Sequence, residues 1–360
     1  MKILWLNHRC LKNPLSGGAE TTIFQVGRRL VSRGHEIHLL TGGWEGARRE
    51  EIISGIIIRR FGKRVMPHLA LPAFLNEHQD ADLIIDDLAH AMPWFSPWLS
   101  RLPGLVFFRH LHSRTLNGQV SSTLALGLSH IERQYSLIYK RWPFVTESES
   151  SRQDLISLGI SHQRINLIPP GVDLATFKPS KKEQIPLIVH LGRLMPYKRT
   201  DHALLALNNL LKRGVRANLI IIGDGPMLRQ LRSIVDEMNI QAHVTFTGKI
   251  ASSQVADILS RAWVNIHCSV SEGWGYSTME AASSGTPTVA YRVPGISSSV
   301  QNGKTGVLVE DGNIRELSFA LEQVLEAPQT WISNCRSYAE KFSWDAATDK
   351  WEKLIANCTL

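Results

Sequence analysis

The sequence predicts an α/β protein that is built from two doubly wound parallel sheets. Short apolar or β-branched runs alternate with helical patterns along most of the 360 residues, as in parallel strands joined by helical crossovers. The alternation is interrupted at residues 169–182, which are rich in proline, glycine and lysine, and then begins again. The chain length and its 43% hydrophobic content are sufficient for two globular cores.

Each half of the chain contains five runs that predict strands. They are residues 3–6, 35–40, 82–85, 105–108 and 144–146, and then 186–191, 218–222, 243–246, 263–266 and 287–290. After the first strand, a helix is predicted from Thr21 to Arg33, where Gly34 ends it. We therefore predict one domain at 1–170 and a second at 171–344.

The net charge of +8 lies mainly in the first half, where 20 Lys and Arg residues face 14 Asp and Glu residues. Basic and aromatic residues cluster there, with both types at 59–61 and 139–142 and aromatic residues at 93–98. Such mixtures suit an anionic membrane surface or a phosphorylated lipid, although core aromatics beside solvated arginines explain them equally well. No DNA- or RNA-binding pattern is present, so nucleic acid is not an expected partner.

Targeting and cysteine patterns favour a protein that is cytoplasmic or peripheral at a membrane. The chain has no segment with the pattern of a signal peptide and no apolar stretch near the roughly 18 residues that span a bilayer. The four cysteines, at 10, 268, 335 and 358, form neither a metal spacing nor a disulfide framework. We expect reduced thiols and no metal.

The segment from Glu272 to Glu280 carries the most functional information. Glycines at 273 and 275 favour a loop around Glu272, whereas Glu280 falls within the helix that follows. Backbone amides at the start of that helix, near Tyr276 and Ser277, can hold a phosphate. Two carboxylates and an anion site suit a phosphorylated sugar, although such a pair of glutamates also occurs on ordinary solvated surfaces.

Ligands of open wound sheets bind beyond the carboxyl ends of the strands, so loops that follow strands are the informative ones. Arg193 and Lys198 follow the first strand of the second half and can neutralise a diphosphate leaving group. However, two nearby cations also occur commonly on surface loops that have no binding role. Gly223, Gly248 and Lys249 follow later strands, where a nucleotide base or ribose would pass, unless they serve only as turns.

In the first half, the glycines Gly17 and Gly18 allow close approach of the backbone to a ligand such as a diphosphate, but do not form the dinucleotide pattern G-x-G-x-x-G. Another strand end carries His110 and His112. A histidine at such a position can hydrogen-bond a sugar hydroxyl or move a proton, and one of the two is expected to be structural.

These segments occur in a specific order along nearly the whole chain. They are Gly17-Gly18-Ala19-Glu20, Arg33-Gly34-His35-Glu36, Val145 to Ser150, Ile168-Pro169-Pro170-Gly171-Val172-Asp173, Gly192-Arg193-Leu194 with Lys198, Gly223-Asp224-Gly225-Pro226, and Glu272 to Glu280 with Gly285-Thr286-Pro287. The ordered set resembles the family-four retaining glycosyltransferases of the GT-B fold. That fold has two facing Rossmann-like domains and an interdomain cleft, and the segment from about 345 to 360 resembles the family's terminal helix, which crosses back onto the first domain.

The resemblance implies roles for individual residues. Glu280 would contact the ribose hydroxyls and Glu272 the donor sugar, while Arg193 and Lys198 would hold the diphosphate. Backbone amides at Gly18 and in the loop Gly275-Tyr276-Ser277 would assist, and His110 matches the family's active-site histidine better than His112 does. Arg199, where the family often has glycine, and residues 294–299, which lack an acidic residue often found there, depart from the pattern.

The resemblance also implies the reaction. It is the transfer of a hexose-type sugar, with retention and without a metal or cofactor, from a UDP-, GDP- or ADP-sugar to a glycan or lipid-linked acceptor held mainly by the first domain. The nucleotide sugar, this acceptor and an anionic membrane surface are the expected partners. A sugar-nucleotide epimerase on the same architecture and a non-catalytic nucleotide-sugar-binding subunit are the alternatives.

Overall fold

The computed structural model describes residues 1–63, 66–116 and 120–359, and the chain forms two compact units. Unit 1 comprises residues 1–171 together with the terminal segment that begins at Trp344, and unit 2 comprises residues 172–343. The first change of unit lies inside the proline- and glycine-rich segment. The second immediately precedes the last helix.

Unit 1 alternates strands and helices along the chain. Its elements are β1 (Lys2–Leu6), α1 (Gly18–Ser32), β2 (Glu36–Thr41), β3 (Glu50–Ile53), β4 (Ile56–Arg60), α2 (Pro67–Glu77), β5 (Leu83–Leu88), α3 (Ser96–Leu99), β6 (Gly104–Phe108), α4 (Ser122–Glu132), α5 (Tyr135–Ile138), β7 (Phe144–Thr146), α6 (Glu149–Ser157) and β8 (Ile165–Leu167). The strands form one sheet in the order β3-β4-β2-β1-β5-β6-β7-β8. All neighbours are parallel except β3 and β4.

Unit 2 repeats this plan with a smaller sheet. Its elements are β9 (Leu187–Leu191), α7 (Thr200–Lys212), β10 (Asn218–Ile222), α8 (Leu228–Glu237), β11 (Val244–Gly248), α9 (Ser252–Arg261), β12 (Val264–His267), α10 (Tyr276–Ser283), β13 (Thr288–Tyr291), α11 (Ile296–Ser299), β14 (Gly306–Val309), α12 (Ile314–Glu326) and α13 (Ile332–Ala339). The parallel strand order is β11-β10-β9-β12-β13-β14.

The strand order fixes where each sheet can bind a ligand. In unit 2 the chain moves outward from β9 to one edge and then returns to β12 on the other side of β9, which is the doubly wound order. The switch point therefore lies between β9 and β12. In unit 1 it lies between β1 and β5, which also pair directly. Ligands of such sheets bind at the carboxyl ends of these strands.

The last helix, α14 (Trp344–Cys358), belongs to unit 1. Its Trp351 is almost completely buried, with ring centroids 5.5 Å from Trp5 on β1 and 4.8 Å from Phe107 on β6. Ion pairs that join Arg29 to Asp345 and Arg33 to Asp349 flank this contact. Because exposed ion pairs contribute little, the buried indole supplies most of the stabilisation.

The structure corrects several details of the predicted elements. Helix α1 begins at Gly18 rather than Thr21, since the Glu20 carboxylate accepts a hydrogen bond from the Gly17 N–H at 2.6 Å and caps the first turn. Four strands were missed, namely β3, β4, β8 and β14. Two of them form a hairpin across Ser54 and Gly55, both with positive φ, as in the two-residue turns that suit hairpins.

Much of the aromatic and basic material in unit 1 lies in the core rather than on the surface. Trp94, Tyr139 and Trp142 are buried. Arg60 is also buried, where it is paired with Glu51 at 2.8 Å. The three clusters are therefore not continuous lipid-facing surfaces.

Candidate functional site

The two strands beside the switch point of unit 2 bring their following loops together. Strand β9 leads through Gly192 and Arg193 into a short 3-10 turn, Pro196–Lys198. Strand β12 leads to Glu272. Because β9 and β12 are paired, residues 74 positions apart in the sequence become neighbours.

Lys198 and Glu272 form an ion pair, in which the ammonium donates to Oε1 of the carboxylate. Only 13% and 18% of the two side chains remain exposed. Burial alone would raise the pKa of Glu272, but Lys198 and His267 hold it well below its usual value. Burial would likewise lower the pKa of Lys198, and Glu272 raises it instead. Both groups are therefore charged at neutral pH.

His267, at the end of β12, is a third member of this network that the sequence analysis missed. Its Nε2 lies 3.4 Å from Oε1 of Glu272, the same oxygen that Lys198 contacts. Burial lowers the pKa of His267, so the neutral ring donates from Nε2. With two donors on Oε1, the second oxygen of Glu272 is left to accept a hydrogen bond from a ligand.

Three buried polar atoms on the β12 end have no hydrogen-bond partner within the described ranges. They are Nδ1 of His267 and the hydroxyl oxygens of Ser269 and Ser271. Buried polar groups are almost always satisfied, so a water or a ligand is expected to bind them. Polar residues at every second position beyond a buried strand were the sequence pattern that could have revealed this group.

A second loop fixes the position of the Glu272 backbone. The Glu272 N–H donates to Pro294 O at 3.0 Å. The next residue, Gly295, has φ +80°, and a Cβ at that position would lie 2.2 Å from Glu272 O. Glycine is therefore required for this approach. Residues 294–299 thus contact Glu272 through backbone atoms, and none of these six residues is acidic.

Glu280 lies on α10, whose first residue is Tyr276 and whose N-cap is Gly275. The first backbone amides of this helix are those of Tyr276 and Ser277. No side-chain hydrogen bond or ion pair of Glu280 occurs in the part of the chain that the structure describes, and burial raises its pKa to about 7. The two glutamates therefore differ, since Lys198 and His267 hold Glu272 whereas Glu280 has no such partner among the described residues.

Arg193 lies closer to solvent than Lys198. It is exposed, and its Nη2 donates to the Tyr197 hydroxyl at 2.9 Å. Arg199 adopts the left-handed conformation, φ 47°, which glycine adopts without steric cost. Its guanidinium holds that conformation by donating to Asp311 at 2.8 Å and by lying 5.4 Å from the Tyr291 ring centroid.

Three further predicted residues lie at the ends of β10 and β11. The Gly223 N–H donates to Gly248 O at 2.9 Å. A Cβ on Gly223 would lie 1.9 Å from Gly192 O, so the strand ends approach closely only because residue 223 is glycine. Lys249 follows them and is exposed. These residues therefore line the same carboxyl edge as Arg193.

The remaining predicted residues belong to unit 1. Gly17 and Gly18 start α1, where the Gly17 N–H already donates to Glu20. His110 follows β6, with its ring centroid 4.5 Å from that of His112. His112 is buried and donates from Nε2 to Leu88 O at 3.0 Å, which identifies it as the structural member of the pair.

The described residues contain neither a metal-binding cluster nor a membrane-spanning helix. Among the described residues, no group of three or more His, Cys, Asp or Glu side chains is arranged to hold a metal ion. Within those same ranges, no helix is both long and apolar enough to cross a bilayer.

Two family models match the chain and together span most of it. "Glycosyltransferase Family 4" matches residues 16–176, and "Glycosyl transferases group 1" matches residues 173–342.

Two relatives match nearly the whole of this chain, and a third matches about half of it. The D-inositol 3-phosphate glycosyltransferase of Gordonia bronchialis is 26% identical, over 93% of this chain and 82% of the relative. The protein of the same name from Mycobacterium avium is 27% identical, over 93% and 87%. The GDP-mannose-dependent alpha-(1-6)-phosphatidylinositol monomannoside mannosyltransferase of Mycobacterium tuberculosis is 29% identical over 53% of this chain and 54% of the relative.

Solved structures share the fold. Sucrose-phosphate synthase from Thermosynechococcus elongatus superposes with a TM-score of 0.83 at 20% identity, over 99% of this chain and 98% of that one. HepE of Anabaena in complex with UDP-glucose gives 0.79 at 18% identity, over 99% and 100%. The two matched models and the shared architecture lead to one conclusion: this chain belongs to the family-four glycosyltransferases, is a glycosyltransferase, and has the GT-B fold.

Proposed function

We propose that the enzyme transfers a hexose-type sugar, with retention and without a metal, from a nucleoside diphosphate sugar to a glycan or lipid-linked acceptor. The observation that carries this proposal is the arrangement of Lys198, Glu272 and Glu280 at the switch point of unit 2. Lys198 and the helix amides match the diphosphate of a donor, and the charged carboxylate of Glu272 matches its sugar. Glu280, which has no partner among the described residues, matches its ribose.

In the proposed donor complex, Lys198 and Arg193 bind the diphosphate with help from the amides of Tyr276 and Ser277. Glu272 accepts a hydrogen bond from a sugar hydroxyl through its second oxygen, and Glu280 binds the ribose hydroxyls. Gly223, Gly248 and Lys249 border the base. In unit 1, Gly18 contributes a backbone amide to the phosphates, and Gly17 shapes that turn. All of these groups lie at carboxyl edges of the two sheets, where ligands of such sheets bind.

The proposed chemistry assigns charge stabilisation to the cations. The bond from the anomeric carbon to the diphosphate oxygen breaks, and the acceptor oxygen forms a bond to that carbon on the same face. The acceptor's proton moves to the departing phosphate oxygen. Lys198 and Arg193 stabilise the negative charge that grows on the leaving group. Glu272 keeps a fixed, charged carboxylate whose Oε1 is already held, which suits electrostatic support rather than covalent attack.

His110 is proposed to contact the sugar or the acceptor hydroxyl. Its neighbour His112 is fixed by Leu88, so His110 is the member of the pair that is suited to a ligand.

Turnover and nucleotide binding test this proposal. Thermal shift with UDP-, GDP- and ADP-sugars identifies the donor, and sugar transfer is then measured with and without EDTA. We expect activity in EDTA and a loss of about 10²-fold or more in kcat for Arg193→Ala, Lys198→Ala or Glu272→Ala. The exposed Lys212→Ala is the matched control. Wild-type rates in all three variants, or activity that requires added metal, would refute the assignment.

We also propose that unit 1 binds an anionic membrane surface. Trp98 on α3 and Leu137 on α5 are exposed. Exposed Arg101 precedes β6, and exposed Lys140 and Arg141 precede β7, so these cations lie at the same edge of neighbouring strands. Apolar side chains beside cations suit anionic lipid headgroups.

Liposome flotation tests the membrane proposal. Flotation is expected with vesicles that contain phosphatidylglycerol and not with phosphatidylcholine alone. Trp98→Ala should weaken it, whereas Ile52→Ala, which changes another exposed apolar residue of unit 1, should not. Equal flotation on both vesicles, or none, would contradict the proposal.

A further inference from the structure

A cluster of histidines occupies the switch point of the unit 1 sheet. His8 follows β1 and His90 follows β5, the two paired strands on either side of that point. His68 joins them from the first turn of α2. Ligands of doubly wound sheets bind at this place in the fold. The cluster thus occupies in unit 1 the position that Lys198 and Glu272 occupy in unit 2.

His8 contacts both other imidazoles, and a buried tryptophan packs against His8 and His68. Nε2 of His8 lies 3.0 Å from Nε2 of His68, within hydrogen-bonding distance. The His90 ring meets the His8 ring edge-on at 4.5 Å. Trp94 lies 4.9 Å from His8 and 4.2 Å from His68. His8 and Trp94 are buried, whereas His68 and His90 remain partly accessible. The cluster therefore has a closed floor and an open rim.

His8 and His68 carry little charge at neutral pH. Burial lowers the pKa of His8 well below its usual value, and the fields of His90 and His68 lower it further. Burial also lowers the pKa of His68 to about 4. Two neutral imidazoles that share one Nε2 to Nε2 contact place a proton on one nitrogen and a lone pair on the other. The pair is therefore a hydrogen-bonding surface and not a cationic one.

One polar atom of the cluster has no internal partner. Nδ1 of His8 is buried and without a hydrogen bond among the residues described by the structure. An unsatisfied buried nitrogen costs free energy, which a bound hydroxyl or water removes. The geometry thus provides both a rim of accessible imidazoles and an unmet hydrogen-bonding group beneath it.

We propose that His8, His68 and His90 form a subsite for an uncharged ring polyol, the chemical class of pyranoses and cyclitols, as the acceptor end of the reaction. Each hydroxyl of such a ring donates and accepts hydrogen bonds, as neutral imidazoles do, and its C–H face packs on aromatic rings. The neutral rings of His8 and His68 offer an anionic ligand no positive charge at neutral pH. This inference rests on the proposed function only in naming the ligand as the acceptor.

Binding to the full chain tests the inference. Histidine side-chain nitrogen resonances are followed while myo-inositol or methyl α-D-glucopyranoside is added as an uncharged probe, and inorganic phosphate as an anionic one. We expect saturable shifts of the His68 and His90 signals with at least one polyol and none with phosphate. Phosphate shifting these signals while both polyols leave them unchanged would overturn the inference, and so would no shift with any probe.

Two rim variants supply the matched comparison. His68→Asn and His90→Ala should each weaken polyol binding about tenfold, as expected for the loss of a hydrogen bond and a ring contact. His162→Ala, an exposed histidine of unit 1, should leave it unchanged. Equal polyol affinity in all three variants would also overturn the inference.

Nucleoside diphosphate binding, measured on the same samples, separates this inference from the proposed function. Unchanged nucleotide affinity in the rim variants shows that unit 2 is intact, so that a loss of polyol affinity then counts for the subsite. Polyol binding at the cluster together with a wild-type protein that binds no nucleotide would leave the subsite standing and remove the donor assignment. A wild-type protein that binds nucleotide but shows no polyol binding at the cluster would overturn the subsite and leave the donor assignment standing.

Discussion

Replacing Glu280 by glutamine should stabilise the protein at alkaline pH and weaken nucleotide binding. Glu280 lies on α10 with no ion pair or side-chain hydrogen bond in the described parts of the chain, and burial raises its pKa from the ordinary 4.5 to about 7. A carboxylate that is desolvated without compensation destabilises the folded state whenever it is ionised. Glutamine has nearly the same shape and carries no charge.

The expected magnitude follows from the shift in pKa. The difference between 7 and 4.5 is 2.5 units, and each unit corresponds to about 1.36 kcal/mol, so the total is about 3 kcal/mol. Between these two pH values the folded state binds more protons than the unfolded state. The free energy of unfolding therefore falls as pH rises through this window and levels off above 7.

Urea unfolding of the wild type and of Glu280→Gln, at pH 4.5 and pH 8, measures this effect. The variant should match the wild type at pH 4.5 and exceed it by about 3 kcal/mol at pH 8. Glu326→Gln, on the exposed surface of α12, is the matched control and should show no such difference. Calorimetry should also show weaker nucleoside diphosphate binding to Glu280→Gln, by about tenfold or more, as expected for a charged hydrogen bond. A gain that does not depend on pH would refute the reasoning about burial, and unchanged nucleotide affinity would refute the ribose role.

Three further predictions concern charges and backbone. Lys198→Met and Glu272→Gln should each cost about 3 kcal/mol in the free energy of unfolding, and the double variant clearly less than their sum, because removing one partner leaves a buried charge; additivity in urea unfolding would contradict the pairing. Arg109→Met should cost about 3–5 kcal/mol, since Arg109 compensates the buried carboxylates of Asp87 and Glu147, and a denaturation midpoint equal to that of the wild type would rule this out. Arg199→Gly should be more stable than Arg199→Ala by about 1 kcal/mol in thermal unfolding, because only glycine relieves the left-handed backbone; the opposite order would show that strain is not the cause.

The fold was largely predictable because interior parallel strands are buried on both faces and appear as continuous apolar runs. All ten predicted strands are present in the structure, with small shifts at their ends. The missed hairpin, β3 and β4, contains charged residues that pair across its strands, such as Arg60 with Glu51. From the sequence alone, such residues look like surface charges. The partner that permits their burial is known only from the register of β3 against β4.

The sequence offered candidate residues for the site but not their contacts. Motifs led us to predict Glu272, Lys198 and Glu280, whereas the ion pair between the first two depends on β9 lying beside β12. Strand order is a property of the whole sheet, so no local pattern contains it. For the same reason His267 was missed, because a histidine at a strand end becomes informative only when its neighbour is known to be a buried carboxylate.

The two switch points differ in charge, and this difference has a consequence for how substrates are sorted. In unit 2 the groups at that point are ionised and mutually compensated, as Lys198 and Glu272 are. In unit 1 they are imidazoles whose burial keeps them neutral, as His8 and His68 are. In the proposed donor site of unit 2, a diphosphate would gain charge-assisted hydrogen bonds, and it would find none from the neutral pair in unit 1. In the proposed subsite of unit 1, a neutral ring would gain hydrogen bonds without desolvating a charge. Because the side chains at this topological position are charged in unit 2 and neutral in unit 1, they can direct the charged and the uncharged substrate to different units.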